Sequence, residues 1–347
     1  MKIFTLFVLL LTVGNSFGQM TELKLDVSCK GTTTGFQSVK VIDNRSQNQL
    51  LGLVQSGASN KSTEIVCLNL IDNLATYFMD STSRAVKMPL VLILNEFFLN
   101  EAHGNSSETG RFRLSMQFFV ENSADQFTEL VTVDTIYTNT GRDVTKALLR
   151  SVSAQLCILS KQVSQLAGQQ TPSDLTKYSY QNLLVLDSLE KRKLPMYSAS
   201  GPQAGIYRNY NQFKLNEPEP AIDLEIEERK NGILVYAWDE KRKKKTKLLP
   251  DGLFAVSDGT TLLRATGLGF YKMIKEGADF YYWRPRPNYA NSGTAPLLMG
   301  VMFGAVGGLA AGAMQASSKE NNQWLLQKVN YRRGNSVPVS WVNGKPK

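Results

Sequence analysis

Residues 88–99 read MPLVLILNEFFL, a nearly uninterrupted apolar run made of Leu, Val, Ile and Phe. A short apolar run of this composition indicates a β-strand. Two more stretches follow: FRLSMQFFV at 112–120, in which apolar and polar residues alternate, and ELVTVDTIY at 129–137, which contains many β-branched residues. We therefore predict three consecutive strands in the N-terminal half of the chain.

Helices are expected before and after these strands. Ser62 is a good N-cap with Glu64 in the first turn, and the apolar residues that follow recur every three or four positions, so a helix is predicted over 62–80. A second, long amphipathic helix is predicted over 143–166. With a short strand over 38–42, the order β-α-β-β-β-α indicates an α+β fold with helices on one face of a sheet.

The chain divides by composition into several segments. The N-terminal α+β domain is expected to span 19–168, and a linker rich in proline and short polar stretches to span 169–220. A β-rich domain is predicted over 221–294. The segments 295–316 and 317–347 are an apolar glycine-rich segment and a basic tail that could form a β-hairpin.

The composition excludes several classes of site. The 347 residues are 42% hydrophobic and 20% charged, enough for two domains with their own cores. The single histidine, His103, excludes zinc sites with several histidines and the iron site built from two histidines and a carboxylate. His103 lies in a polar stretch that is typical of an exposed hairpin loop. No cofactor and no metal site is expected.

The first 18 residues are predicted to be a secretory signal peptide. Lys2 supplies a positive charge, an apolar run covers 3–13, and the small residues Ser16 and Gly18 precede a cleavage site before Gln19. An exported protein with three cysteines, Cys29, Cys67 and Cys157, can close at most one internal disulfide. Since Cys67 and Cys157 fall within helical patterns, a buried thiol is favoured over a disulfide for both.

Two resemblances to known groups accompany these patterns. Asp43 and Arg45 end the first strand, and this arrangement resembles small envelope domains of bacterial lipoproteins, although a lipidation cysteine is lacking. Asp43 and Arg45 are also explained as a turn cap and its ion-pair partner. The strings GIYRNYNQF at 205–213, FAVSDG at 254–259 and GFYK at 269–272 resemble uncharacterised secreted proteins of Bacteroidota. That resemblance implies architecture and an exported location, without an activity.

The segment 295–316 carries no charge, and four of its glycines are spaced by four residues: Gly300, Gly304, Gly308 and Gly312. On a helix this spacing lets another backbone approach closely, as in membrane helix pairs. The pattern predicts a glycine zipper that mediates self-association and crosses a membrane. The alternative is a glycine-rich helix buried in the second domain, and a β-hairpin in the tail would conflict with a single span.

A basic run offers a candidate contact with an anionic surface. Six of the seven residues at 241–247 are basic, and they lie between two predicted strands: Lys241, Arg242, Lys243, Lys244, Lys245 and Lys247. A solvated hairpin loop explains the run as well. Its functional interpretation is contact with anionic lipid or with lipopolysaccharide phosphate, and nucleic acid is disfavoured for an exported protein.

These observations predict an exported cell-envelope protein, associated with membrane lipid, that has a structural or interaction role and no catalytic one. Two alternatives stay open. One is a hydrolase of envelope glycans that uses Asp251, Asp258 or Glu276, for which two carboxylates would have to meet in a cleft. The other is a soluble periplasmic binding protein in which the glycine zipper is buried.

Overall fold

The computed structural model describes residues 20–26, 36–46, 50–56, 61–79, 88–103, 107–169, 176–285 and 323–346. Within these ranges it contains two β-sheets and a smaller share of helix. The α+β class predicted from the sequence is confirmed in this broad form.

The first sheet has eight strands around the apolar run at 88–99. Its strands are β1 (Met20–Glu22), β2 (Val39–Asp43), β3 (Gly52–Ser56), β4 (Lys61–Val66), β5 (Leu90–His103), β6 (Glu108–Ser123), β7 (Gln126–Gly141) and β8 (Lys177–Tyr178). The order across the sheet is β1-β4-β3-β5-β6-β7-β8, and β2 pairs in parallel with β5. The three strands predicted at 88–99, 112–120 and 129–137 are thus β5, β6 and β7.

The helix predicted over 62–80 is wrong in its first third. Residues 61–66 form β4, which pairs antiparallel with β3 and parallel with β1. Thr63 and Ile65 are fully buried whereas Glu64 between them is half-buried, which is the period of two expected of a strand. The helix α1 begins only at Leu70 (Leu70–Phe78). Side-chain pairing with two neighbouring strands outweighs the helix-start signal at Ser62.

Two helices cover one face of the first sheet. These are α1 and α2 (Thr145–Ala167), and α2 buries an apolar stripe against β6 and β7. The core between helices and sheet includes Leu92 and Leu99 of β5, Phe118 of β6, and Leu156 of α2. The predicted layer of helices on one sheet face is therefore present.

A β-bulge at Asn95 divides β5 into two halves. The register passes from Leu94 opposite Met116 directly to Glu96 opposite Ser115, so one residue of β5 has no counterpart. An extra residue reverses the alternation of side chains between the two faces. Glu96 therefore points away from the helices, although Leu94 points toward them.

Residues 176–216, most of the segment predicted as a linker, contain four short helices. They are α3 (Tyr180–Leu184), α4 (Leu186–Arg192), α5 (Pro195–Ser198) and α6 (Tyr210–Leu215). Leu183 and Leu186 pack on the first sheet, on the face opposite α1 and α2. Tyr197 and Phe213 belong instead to the core of the C-terminal part. This segment therefore contributes to the packing of both halves.

The second sheet has ten strands and is antiparallel throughout its described pairs. Its strands are β9 (Gly205–Tyr207), β10 (Glu225–Arg229), β11 (Gly232–Asp239), β12 (Lys244–Lys247), β13 (Ala255–Ser257), β14 (Leu262–Thr266), β15 (Gly269–Glu276), β16 (Asp279–Pro285), β17 (Gln323–Val329) and β18 (Ser336–Asn343). The last two form a hairpin in the basic tail, and β17 also pairs with β16. The tail is thus part of this sheet.

The transmembrane helix predicted from the sequence is corrected by the structure. Among the described helices, none combines the length and the apolar character that a membrane crossing requires. The 23-residue α2 is long enough, but Lys146, Arg150 and Lys161 lie on its exposed side. The predicted zipper glycines lie outside the described residues, so their role in self-association stays a prediction. They are Gly300, Gly304, Gly308 and Gly312.

The cysteines differ from expectation at one position. Cys157 is disulfide-bonded, whereas Cys67 is a free thiol whose pKa is raised by burial. The preference for a thiol over a disulfide is wrong for Cys157 and holds for Cys67, which is half-buried and lies before α1.

Gly52 gives a test of the first sheet. A Cβ atom at this position would lie 2.1 Å from the carbonyl oxygen of Leu99 in β5, so Gly52→Ala should separate β3 from β5. We expect a loss of about 1–3 kcal/mol in the free energy of unfolding, measured by urea denaturation. Gly201→Ala is the control, because nothing lies within 4 Å of its Cβ position. Equal stability of the two variants would contradict the described register.

Tyr207 gives a test of the second core by pH. Its hydroxyl lies 2.9 Å from the Gln203 carbonyl oxygen and 2.7 Å from Asn216 Oδ1, and burial raises its pKa to about 12. Because the unfolded chain loses this proton near pH 10, stability should fall as the pH rises from about 10 to 12. Tyr207→Phe should reduce that loss of Tm between pH 9 and 12. If Tyr207→Phe has the same Tm profile over this pH range as the unchanged protein, ionisation of Tyr207 does not destabilise the fold and the prediction is wrong.

Candidate functional site

The basic run predicted as a surface contact lies on the hairpin of β11 and β12, here called the basic hairpin (232–247). Asp239 Oδ1 accepts the backbone N–H groups of Lys241 and Arg242 at 3.0 and 3.1 Å, and Lys243 has a φ of +52°. A capping aspartate and a left-handed residue close the tight turn. The local sequence therefore places the lysines at the tip and along β12.

Half of the six basic residues have acidic partners. Arg242 lies 3.6 Å from Asp239, Lys243 lies 3.0 Å from Glu240, and Lys245 lies 2.5 Å from Glu225. All three pairs are exposed to solvent and therefore weak. In the described part of the chain, the other three basic residues have no ion pair: Lys241, Lys244 and Lys247. The hairpin thus keeps a positive surface.

Two aromatic residues share the outer face of the basic hairpin. Trp238 lies directly opposite Lys245, and Tyr236 lies opposite Lys247. The alternate residue Ala237 is 5% exposed and faces the core, so the aromatic and basic side chains point outward together. Trp238 is 36% exposed. Sequence reasoning missed these two aromatics, although the alternation in GILVYAWD at 232–239 signals them.

The carboxylates considered for a hydrolase have local structural contacts. Asp258 Oδ1 accepts the backbone N–H groups of Thr260 and Thr261 at 2.8 and 2.6 Å, so it caps a turn. Asp251 precedes β13 and Asp258 follows it, which places them at opposite ends of that strand. Glu276 faces Asp279 across the turn between β15 and β16. Each of the three carboxylates thus lies at a turn or a strand end of the second sheet.

A buried polar cluster joins the first sheet to the turn between β17 and β18, and sequence reasoning missed it. Glu96, directed outward by the bulge, accepts a hydrogen bond from Asn330 Nδ2 at 3.2 Å and lies 3.5 Å from Arg113 Nη1. Glu96 is 3% exposed and Arg113 is 2% exposed. Burial lowers the pKa of Arg113, and the Glu96 carboxylate opposes that shift.

Arg332 is the central donor of this interdomain cluster. Its Nη2 donates to Gln117 Oε1 at 2.6 Å and to Glu190 Oε2 at 2.5 Å, and its Nε donates to the Tyr331 hydroxyl at 2.8 Å. Tyr331 also hydrogen-bonds to Glu190, and burial raises its pKa well above the ordinary value. One guanidinium thus links β6, α4 and the turn after β17.

A small cavity of about 60 Å³ adjoins the cluster. Arg45, Asn95 and Tyr331 are among the residues that line it. Arg45 forms a two-point ion pair with Asp43 at 2.8 and 2.7 Å, and its backbone N–H also donates to Asp43, as the interpretation of a turn cap requires. A cavity of this size holds water molecules but is well below the roughly 300 Å³ of a typical ligand pocket.

Removing Arg332 should loosen the contact between the two halves. Arg332→Met leaves the Glu190 carboxylate and the Gln117 amide without their donor, so we expect a loss of about 2 kcal/mol in the free energy of unfolding by urea. The control is Arg208→Met, because Arg208 and Glu219 are 55% and 41% exposed and their pair contributes little. If both variants lose the same free energy of unfolding, Arg332 is no more important for stability than an exposed arginine, and the prediction is wrong.

Comparisons with known proteins bear on the C-terminal half. Residues 205–331 match the model of a family described as "Family of unknown function (DUF6563)". No curated protein matches the chain. Among solved structures, the crystal structure of protein XCC0632 from Xanthomonas campestris, described under DUF330, is 11% identical in sequence. The match covers 44% of this chain and 98% of that chain with a TM-score of 0.27, which is too low to support an argument about fold. The expected resemblance is therefore confirmed in a coarser form: residues 205–331, which include the basic hairpin, are similar to a family without an assigned function.

Proposed function

We propose that this chain is an exported, non-catalytic interaction protein of the cell envelope that binds an anionic lipid surface through the basic hairpin. The observation that carries the proposal is the shared outer face of Tyr236, Trp238, Lys245 and Lys247. Each basic side chain near an anionic membrane contributes about 1 kcal/mol of attraction. Tryptophan and tyrosine favour the headgroup region because one end of each ring is polar.

The export part of the proposal rests on two features. The N-terminal segment 1–18 has the charge, apolar run and small residues of a signal peptide. Cys157 is disulfide-bonded, and disulfides persist in oxidising compartments outside the cytosol. The two features point to the same location and do not depend on the basic hairpin.

Vesicle cosedimentation tests lipid binding. Full-length protein should bind vesicles that contain phosphatidylglycerol more strongly than vesicles of phosphatidylcholine alone, and 0.5 M salt should release it because exposed charges are screened. Replacing Lys241, Lys244 and Lys247 by Gln should weaken binding to the anionic vesicles more than tenfold. Trp238→Ala should weaken it without changing the net charge.

The matched control removes three positive charges from another surface. Lys146, Arg150 and Lys161 are exposed on α2, and replacing them by Gln changes the net charge equally. This control should bind anionic vesicles almost as strongly as the unchanged protein. If the two triple variants lose binding equally, the attraction is due to net charge and the proposed site is wrong. Equal binding of the unchanged protein to both kinds of vesicle would also overturn the proposal.

A further inference from the structure

Two arginines lie inside the C-terminal sheet, far from the usual position of such residues at the surface. Arg264 in β14 is 8% exposed and Arg284 in β16 is 1% exposed. Arg264 lies opposite Tyr271 in β15. On the other side of β15, Met273 pairs with Tyr282, so the same antiparallel register brings Arg284 opposite Tyr271. Arg264, Tyr271 and Arg284 therefore form one row across three strands. Neighbouring strands are about 4.8 Å apart, so the two arginines are separated by roughly 10 Å at their backbones.

The two guanidinium groups differ in their hydrogen bonds. Arg264 Nη1 donates to the carbonyl oxygens of Phe254 and Ala265 at 2.5 and 3.1 Å, and its guanidinium stacks 3.8 Å from the centre of the Phe254 ring. Arg284 Nε and Nη2 are buried, and the described part of the chain offers them no hydrogen-bond partner. Within the described ranges, neither arginine has a carboxylate partner. Two buried donors of Arg284, Nε and Nη2, are therefore left without an acceptor among the described residues.

Gln327 lies on the neighbouring strand β17, on the same face of the sheet as Arg284, since Leu325 pairs with Arg284 and Gln327 is two residues further along. It is fully buried opposite Tyr282, and among the described residues neither its amide nitrogen nor its amide oxygen has a hydrogen-bond partner. The Tyr282 hydroxyl is already engaged with Ser336 Oγ at 2.7 Å. Burying unpaired guanidinium donors and an unpaired amide on the same face of neighbouring strands is strongly unfavourable unless a ligand completes their hydrogen bonds.

The free atoms of Arg284 define the chemistry of that ligand. Nε and Nη2 are the two parallel donors with which an arginine binds both oxygens of one anionic group. The same protein shows this geometry at its surface, where Arg229 Nε and Nη2 bind the two oxygens of Glu227 at 2.8 and 2.9 Å. We propose that Arg284, with Gln327 on the same face of the neighbouring strand, binds an oxyanion, namely the phosphate or carboxylate group of a ligand, inside the C-terminal sheet. This inference does not depend on the proposed function of the basic hairpin.

Thermal unfolding and calorimetry of the full chain test the site, with total ionic strength held constant by sodium chloride. The probes are inorganic phosphate, acetate, and a short-chain phosphatidic acid used as a monomer. At least one probe should bind in a saturable way and raise Tm by a few degrees, because a ligand that binds only the folded state stabilises it. Which probe binds most tightly distinguishes a free anion from a lipid headgroup.

Arg284→Gln should weaken the binding of that probe at least tenfold. Arg284→Lys should also weaken it, because an ammonium keeps the charge but lacks the two parallel donors. Gln327→Leu, which leaves Arg284 in place, gives a third variant in case the arginine variants do not fold. Arg229→Gln is the matched control, since it removes an exposed arginine with the same geometry, and it should bind the probe as the unchanged protein does.

Two results would overturn the inference. One is a wild-type protein whose Tm is not raised by any of the three probes. The other is a folded Arg284→Gln or Gln327→Leu variant that binds the probe with unchanged affinity. Vesicle binding by the basic hairpin can fail or succeed independently of both, so the two proposals are tested separately.

Discussion

The bulge at Asn95 is the constraint on which the relation between the two halves of the molecule depends. β5 is apolar on both sides because helices cover one face and α3 and α4 cover part of the other. A regular strand would continue the alternation and direct Glu96 into the helical core, where a carboxylate has no partner. The extra residue directs Glu96 to the opposite face instead, beside Arg113 and Asn330.

The interface that follows from this bulge is polar and largely paired. Arg332 contacts Gln117 and Glu190, and Arg333 pairs with Asp134 on β7. Such a network adds modest net stability, because removing charges from water opposes the gain of each contact. Its hydrogen bonds have fixed directions, so its main effect is to define one orientation of the C-terminal hairpin on the first sheet.

The C-terminal sheet handles positive charge in two different ways. On the basic hairpin, the basic side chains stay solvated, and Asp239, Glu240 and Glu225 neutralise part of their charge. These exposed pairs need little desolvation. At Arg284 the charge is buried, and no described residue accepts a hydrogen bond from its Nε or Nη2. The first arrangement suits contact with an extended anionic surface, whereas the second suits one anionic group of defined shape. Both lie within the residues that match the family of unknown function.

The sequence by itself determined the features that depend on neighbours along the chain. The apolar run at 88–99, the alternation at 112–120 and the amphipathic pattern of α2 predicted their elements, because periodicity reflects which side chains a strand or helix buries. The basic run at 241–247 was expected to be a loop between strands, but its last four residues form β12. The same local reasoning failed at 61–66, because these residues form a strand that pairs with β1 and β3. Only the tertiary structure decided the sites. Asn330 and Glu96 are 234 residues apart, and Arg284 and Gln327 share a face of the sheet only because β16 pairs with β17. Neither arrangement leaves a local signal, since burial and register across strands are set by the packing of the whole sheet.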